Sequence, residues 1–124
     1  MAFEINDHHV EGSQDATMIR ILDVPGQGGA YHQYDVVCDT PTQALHVLGQ
    51  IRFQDGPIKE YGHNGVQGEH LLAIIAHRLR CFQAGPFASA YNAEALEHVN
   101  AALGALQRRT ADRVARQVEG LNKA

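Results

Sequence analysis

The sequence has 124 residues, of which 44% are hydrophobic, and a formal net charge of −4. This length fits one domain, or a compact body with an appendage, and it allows only a modest core. The negative charge excludes binding of polyanions through bulk charge, so any anion site must be local.

Targeting signals and cysteine usage favour a cytoplasmic protein. The chain has no charged-then-apolar leader and no run of about 18 apolar residues, so we expect neither a signal peptide nor a membrane span. Cys38 and Cys81 lie inside predicted elements and do not have the spacing of metal ligands. We expect both to be reduced thiols.

The first part of the chain predicts antiparallel strands. Residues 2–6 alternate apolar and polar side chains, which is a weak strand signal. Residues 17–24 and 30–38 predict two strands that form a hairpin, because a glycine-rich turn at 25–29 connects them.

A short helix is predicted at residues 40–48. Thr40 resembles an N-cap, Pro41 fits the first helical position and Gln43 completes a capping box. A short strand at 51–54 and an extended segment at 58–61 are expected to follow.

Two long helices are predicted in the second half of the chain. Asn64, with Gln67, is expected to cap a helix over about 66–83, whose apolar residues spread over an arc of roughly 160°. Asn92 is expected to cap a second helix that continues to residue 119. Because the connection is short, the two helices should pack as an antiparallel hairpin.

The inner stripe of the second long helix is apolar in its first part and contains arginines in its last part. At 100° per residue, Arg109 and Arg113 fall on the apolar stripe and Arg116 falls at its edge. A guanidinium turned toward a packing surface is costly unless an anionic group meets it. The sequence leaves open whether that group is a protein carboxylate, a phosphate or a neighbouring subunit. The apolar members of the stripe are Leu96, Val99, Ala102, Leu103 and Leu106.

No catalytic, metal or cofactor site is predicted. No serine or cysteine has a histidine and an aspartate at a familiar spacing. His8 and His9 suggest a metal only faintly, because the sequence offers no spaced carboxylate or cysteine partner, and a mobile terminal pair is the favoured interpretation. His70 and His77 are seven residues apart and are interpreted as part of a solvated helix face.

Phe82 and Asn92 are expected at the turn end of the hairpin, whereas Arg109 and Arg113 are expected at the opposite end. Asn92 and Arg109 should be about 25 Å apart along the helix. A site that uses both ends would therefore need two chains. It could stack a base on Phe82 and hold phosphate with the arginines. A purely structural alternative is equally open. In it, Phe82 belongs to the core, Asn92 caps the helix and the arginines pair with carboxylates across a dimer.

The second half of the chain carries a set of family-like positions: Phe53–Glu60, Gly62, Asn64–Val66, Leu71–Ile74, Arg78–Leu79, Phe82–Gln83, Asn92, Ala95–Leu96, Ala102–Leu103, Arg108–Thr110, Arg113 and Val118–Gly120. Through these positions, which cover about residues 50–120, the chain is similar to phage-encoded anti-defence sponge proteins that share a two-helix hairpin domain. The β-hairpin ahead of the helices resembles the Thoeris anti-defence branch more than the mostly helical anti-CBASS branch.

This resemblance implies non-catalytic sequestration of cyclic nucleotide immune signals. The expected ligand is chiefly the glycocyclic ADP-ribose made by TIR enzymes, with CBASS cyclic oligonucleotides as further candidates. It also implies homodimers or homohexamers with pockets between subunits. The expected ligand-binding residues are Phe82, Asn92, Arg109, Arg113, Arg116, Arg52, Phe53 and Asn64.

The sequence therefore predicts an α+β protein. An N-terminal antiparallel β region at 1–63, which includes the short helix, precedes an oligomerising helix hairpin at 64–120 and a tail at 121–124. The rival functions are a nucleic-acid binder, a plain structural oligomer and a nucleotide hydrolase. We expect no nucleic-acid partner, because the net charge is negative and few arginines cluster.

Overall fold

A computed structural model describes residues 3–116. Its contacts divide the chain into a sheet unit, residues 1–55, and a helical unit, residues 56–124. The elements are β1 (Phe3–Ile5), β2 (Thr17–Ile21), β3 (Gln33–Thr40), β4 (Gln43–Arg52), α1 (Ile58–Tyr61), α2 (Gly68–Gln83) and α3 (Ala90–Ala115). The α+β class is thus confirmed, with an antiparallel sheet ahead of the helices.

The four strands form one antiparallel sheet in the order β1-β2-β3-β4. A row of apolar residues crosses all four strands, because Phe3, Ile21, Tyr34 and Ile51 are successive cross-strand partners. Tyr34 also meets Phe53 edge to face, with ring centroids 5.6 Å apart. Such cross-strand pairs fix the register and supply much of the sheet's stability.

The predicted helix at 40–48 is wrong, because these residues belong to the β3–β4 hairpin. The Thr40 hydroxyl does accept a hydrogen bond from the Gln43 amide, at 3.0 Å, as a helix cap would. Here that bond closes a two-residue turn, with Thr40 and Gln43 paired across the strands. The same local bond serves a turn and a helix start, and pairing with β3 decides between them.

Strand β4 includes only residues 51 and 52 of the separately predicted strand at 51–54, because it continues from Gln43 to Arg52 and ends there. Its register against β3 shifts between Val36 and Val37, whose partners are Gly49 and Val47. Leu48 is therefore an extra residue in β4, and it is exposed. A bulge of this kind bends the strand and turns the extra side chain outward.

The helix hairpin is confirmed, and three local predictions about its boundaries are corrected. The segment predicted as extended at 58–61 is the short helix α1. Helix α2 is capped by Gln67 rather than Asn64, and the Gln67 amide donates to His70 Nδ1 at 2.9 Å. Helix α3 is capped by Ser89 rather than Asn92. Helix ends are the least certain part of any assignment from sequence, because several nearby polar residues can serve as caps.

Helices α2 and α3 pack along stripes with a spacing of three and four residues. Ala76 lies at the centre of the α2 stripe and is only 1% exposed. Gly68 faces α3, since a Cβ there would make an ordinary contact with Leu106 Cδ1 at 3.9 Å. The half-buried positions of α3 that follow the spacing are Asn92, Leu96, Val99, Leu103, Leu106, Thr110 and Arg113. This alternation is that of helices crossing at a small angle.

The wide apolar arc predicted for α2 is only partly covered. Leu72 and Leu79 are half-buried, whereas Ile74 and Ile75 are 63% and 45% exposed. None of the helices among residues 3–116 is long and apolar enough to cross a membrane. The end of the second long helix at 119 and the tail at 121–124 lie outside the described residues.

Val37→Ala should lower the free energy of unfolding by about 2 kcal/mol, because it removes two carbon atoms from a filled position. Val37 is 1% exposed and pairs with Met18 and Val47. Urea denaturation measures the change. Val24→Ala is the matched control, because Val24 is exposed, and it should shift the free energy by less than about 0.5 kcal/mol. Equal effects at the two positions would contradict the assignment of Val37 to the core.

Candidate functional site

An aromatic ring and a cation meet at the end of α2. The guanidinium of Arg78 lies over the ring of Phe82, with Cζ 5.0 Å from the ring centroid. Phe82 is half-buried and Arg78 is exposed. Because residues four apart share a helix face, the helix itself brings the pair together. Phe82, Arg78 and the neighbouring Asn92 define what we call the turn-end cluster.

A side-chain clasp fixes the loop beside this cluster. Gln83 Oε1 accepts a hydrogen bond from the Ser89 amide at 2.9 Å, and Gln83 Nε2 donates to the Ser89 carbonyl at 3.1 Å. The Ser89 hydroxyl then accepts from the Asn92 amide at 3.0 Å. One glutamine thereby ties the last turn of α2 to the first turn of α3.

Asn92 lies in the first turn of α3 and is half-buried. Its backbone amide is held by Ser89, and its side-chain Nδ2 donates to the Phe87 carbonyl at 3.4 Å. This second bond is long, so the amide group can exchange it for a stronger partner at small cost. Asn92 is thus at the predicted end of the hairpin, with a different local role from the predicted cap.

The three predicted arginines near the end of α3 have different environments. Arg113 continues the packed stripe: its side chain is half-buried and its Nε is buried. Arg109, predicted on the same stripe, is exposed. Arg116 is exposed and its Nε bonds Asp112 Oδ2 at 3.0 Å, one turn back along the chain. Cations near a helix C-terminus are favoured by the helix dipole.

Arg52 and Phe53 belong to the sheet unit. Arg52 ends β4 and is exposed, whereas Phe53 is half-buried against Tyr34. The Phe53 amide donates to the His32 carbonyl at 2.8 Å, which continues the β3–β4 ladder by one residue. Asn64 is exposed in the loop that leads into α2.

His32, the residue before β3, is buried and lies between two carboxylates. Its Nδ1 is 3.8 Å from Asp23 and its Nε2 is 3.7 Å from Asp55. Asp23 also accepts hydrogen bonds from the amides of His32 and Gln33. A Cβ at Gly26 would lie 2.7 Å from the His32 ring, so a larger residue there would displace it. Because Asp55 belongs to the segment 53–60, its contact with His32 helps to position that segment.

Within the helical unit the predicted residues form two groups at opposite ends. Phe82 and Asn92 lie together at the turn end, and Arg109 and Arg113 lie together near the end of α3, about 25 Å or more along the helix. Sequence reasoning missed the contact between Arg78 and Phe82. The four-residue spacing of a cation and an aromatic residue was the signal that could have revealed it.

Two further aromatic side chains lie near the turn end. Phe87 is in the connecting loop, and Tyr91 is in the first turn of α3 with 84% of its surface exposed. Exposed aromatic side chains near a cation and an amide can bind planar, anionic molecules by stacking, charge and hydrogen bonding. The fold is that of a small α+β protein with a two-helix hairpin.

Comparison with known proteins agrees with this class. The sequence model of the Acb2/Tad1 hairpin domain matches residues 46–111, more than half of the chain. The chain therefore belongs to the Acb2/Tad1 hairpin family, and its resemblance to anti-defence sponge proteins is confirmed. It is also 42% identical over 76 residues to "Thoeris anti-defense 1" of Bacillus phage SBSphiJ7, a stretch that covers 61% of this chain. The chain spans about half the length of that curated relative (54%).

The matched region includes Gly56, whose backbone conformation explains why glycine stands in the motif. Gly56 has φ of 87°, a value that other residues rarely adopt. A Cβ at this position would also overlap the ring of Tyr61.

Gly56→Ala should therefore destabilise the protein by about 1–3 kcal/mol. Thermal unfolding followed by circular dichroism measures the effect. Gly49→Ala is the matched control, because Gly49 lies in β4 without a positive φ and a Cβ added there would have no atom within 4 Å. If both substitutions were equally mild, the conformational explanation for Gly56 would fail.

Proposed function

We propose that this chain sequesters cyclic nucleotide signals without chemical conversion, and that glycocyclic ADP-ribose is its principal ligand. The observation that carries the proposal is the family hairpin domain, matched over residues 46–111, in a chain that presents the turn-end cluster. The related phage protein is named for action against Thoeris defence. By sequestering its signal, this chain would block the same defence in the host cytoplasm.

The turn-end cluster supplies groups that suit a nucleotide. The ring of Phe82 offers a stacking surface for a base, and the amide of Asn92 can donate and accept hydrogen bonds. Arg78 adds a positive charge beside the ring. Stacking, amide recognition and a guanidinium are three interactions well matched to a base joined to a diphosphate.

The arginines near the end of α3 supply further positive charge for phosphate. Arg109 is exposed and accessible to an external anion, whereas Arg113 is held in the packed stripe and its direction is fixed by the helix. Arg116 already pairs with Asp112 and is the weakest candidate of the three. Arg52, Phe53 and Asn64 remain candidate contacts because they lie in or beside the family motif.

We propose that these two groups meet only in an assembly of at least two chains. They lie at opposite ends of one hairpin, so a single chain cannot bring Phe82 and Arg109 to the same small ligand. The exposed part of the α2 arc, Ile74 and Ile75, is suited to pack against a second copy. We therefore expect homodimers or homohexamers.

The double substitution Ile74→Asp and Ile75→Asp should shift the protein toward monomers, because two charges would then be buried in the contact. Sedimentation velocity at micromolar concentration measures the assembly. Val24→Asp, at an exposed apolar position of the sheet unit, is the control and should leave the assembly intact. A wild-type protein that sediments only as a monomer would refute the two-chain site.

Titration calorimetry with glycocyclic ADP-ribose, other cyclic ADP-ribose isomers and cyclic di- and trinucleotides tests binding. Phe82→Leu keeps an apolar side chain but removes the stacking ring, so affinity should fall roughly 5- to 150-fold, equivalent to about 1–3 kcal/mol. Asn92→Ala and Arg109→Ala should also weaken binding. Arg80→Ala removes another exposed arginine of α2 and is the control, which should bind like wild type.

The fate of the ligand separates sequestration from catalysis. Ligand incubated with the protein and released by heat denaturation should be recovered intact by mass spectrometry. A cleaved product would favour a nucleotide hydrolase instead. No heat with any ligand, together with salt-sensitive binding of random nucleic acid in a gel shift, would favour the nucleic-acid binder.

A further inference from the structure

Two histidines and an aspartate converge in the loop between β1 and β2. One donor atom each from His8, His9 and Asp15 lies within 4.8 Å of the other two, and all three residues are exposed. The rings of His8 and His9 have their centroids 4.3 Å apart, although neighbouring residues of a strand would point to opposite faces. They share a side because the chain turns here, with the His9 amide bonded to the Asn6 carbonyl at 3.0 Å.

Thr17, the first residue of β2, holds the three side chains in place. Its carbonyl accepts a hydrogen bond from His9 Nε2 at 2.6 Å, and its hydroxyl oxygen is 3.0 Å from His8 Nε2. Its amide donates to Asp15 Oδ1 at 2.8 Å, and its hydroxyl donates to the same oxygen. The two contacts to Asp15 orient its carboxylate, and the two contacts to the imidazoles hold both histidines on the same side of the loop.

The carboxylate of Asp15 has one oxygen occupied and one oxygen directed at the imidazoles. Oδ1 accepts both hydrogen bonds from Thr17, and Oδ2 is 3.7 Å from His8 Nε2. Carboxylates that bind metals are commonly oriented in this way, by a hydrogen bond to the other oxygen.

We propose that His8 Nε2, His9 Nε2 and Asp15 Oδ2 form a binding site for one Zn²⁺ ion. Two imidazole nitrogens and a carboxylate oxygen suit Zn²⁺ and related transition metals better than Mg²⁺ or Ca²⁺, which prefer oxygen ligands. A fourth position stays open to water or to a second protein group.

The geometry requires only small movements of exposed side chains. Zn²⁺ bonds of about 2.0–2.1 Å in tetrahedral geometry place ligand atoms roughly 3.4 Å apart. The present separations are at most 4.8 Å, so rotation of the side chains brings the donors together. Each neutral imidazole would carry its proton on Nδ1, which leaves the Nε2 lone pair free for the metal. The bond from Nε2 to Zn²⁺ would then replace the present contact of Nε2 with Thr17.

The proposed ion would close the β1–β2 loop between His8 and Asp15. Since none of the residues proposed to contact the nucleotide lies in the β1–β2 loop, this site is independent of the proposed ligand-binding function. A metal bound only by the folded chain also stabilises the fold by mass action. Added Zn²⁺ should therefore raise the melting temperature of the wild-type protein.

The test is titration of the full, chelator-stripped chain with Zn²⁺ alone, by competition with a chromophoric indicator and by native mass spectrometry. We expect one Zn²⁺ per chain. His9→Gln and Asp15→Asn should each weaken binding about 10-fold or more. His63→Gln and His98→Gln remove exposed histidines elsewhere and should bind as wild type does. Mg²⁺ and Ca²⁺ should not compete.

A second pair of potential ligands must be distinguished in the same experiment. His77 Nε2 and Cys81 Sγ are 3.9 Å apart on α2. Loss of Zn²⁺ binding in His77→Gln with unchanged binding in His9→Gln would overturn the proposal. So would equal affinity of the wild-type protein and Asp15→Asn, or the absence of bound Zn²⁺ in the wild-type protein.

Discussion

Two packed helices can cover only one side of each other, and this constraint determines which side chains of the helical unit are exposed. The stripes of α2 and α3 are half-buried along their line of contact, and Ala76 of α2 is fully buried there. Gly68 of α2 faces Leu106 of α3 across the same contact. Ile74 and Ile75, which belong to an apolar arc too wide for one neighbour, lie outside this contact and are exposed. The same packing separates the aromatic end from the arginine end.

Much of the fold could be predicted because its signals are periodic or depend on turns. The two long helices, their connecting loop and the β2–β3 hairpin follow from such patterns. The segment at 40–48 could not be assigned in this way. Thr40 makes the expected hydrogen bond to Gln43, but the strand arises from pairing with β3, which is distant information. The expected hydrogen bond between Thr40 and Gln43 is therefore present, but the pairing with β3 determines that the segment is a strand and not a helix.

Part of the candidate site could also be predicted. A helical wheel located Arg113 on the packed stripe, but it placed Arg109 there as well, although Arg109 lies about 40° further round the helix, beyond the edge of the stripe, and is exposed. The stripe of α3 alternates by three and four residues, and a wide angular window cannot distinguish its edge from its centre. The clasp between Gln83 and Ser89 was unpredictable, because it depends on the folded loop.

The cation beside Phe82 restricts the way a planar guest can approach. A phenyl ring has two faces, and the guanidinium of Arg78 lies over one of them. A guest that stacks on the face under Arg78 would have to displace that side chain, whereas a guest on the opposite face would leave it in place. In the second case, the guest and the guanidinium would interact with opposite faces of the same ring. Because Arg78 and Phe82 are four residues apart in α2, the two faces of the phenyl ring have different surroundings.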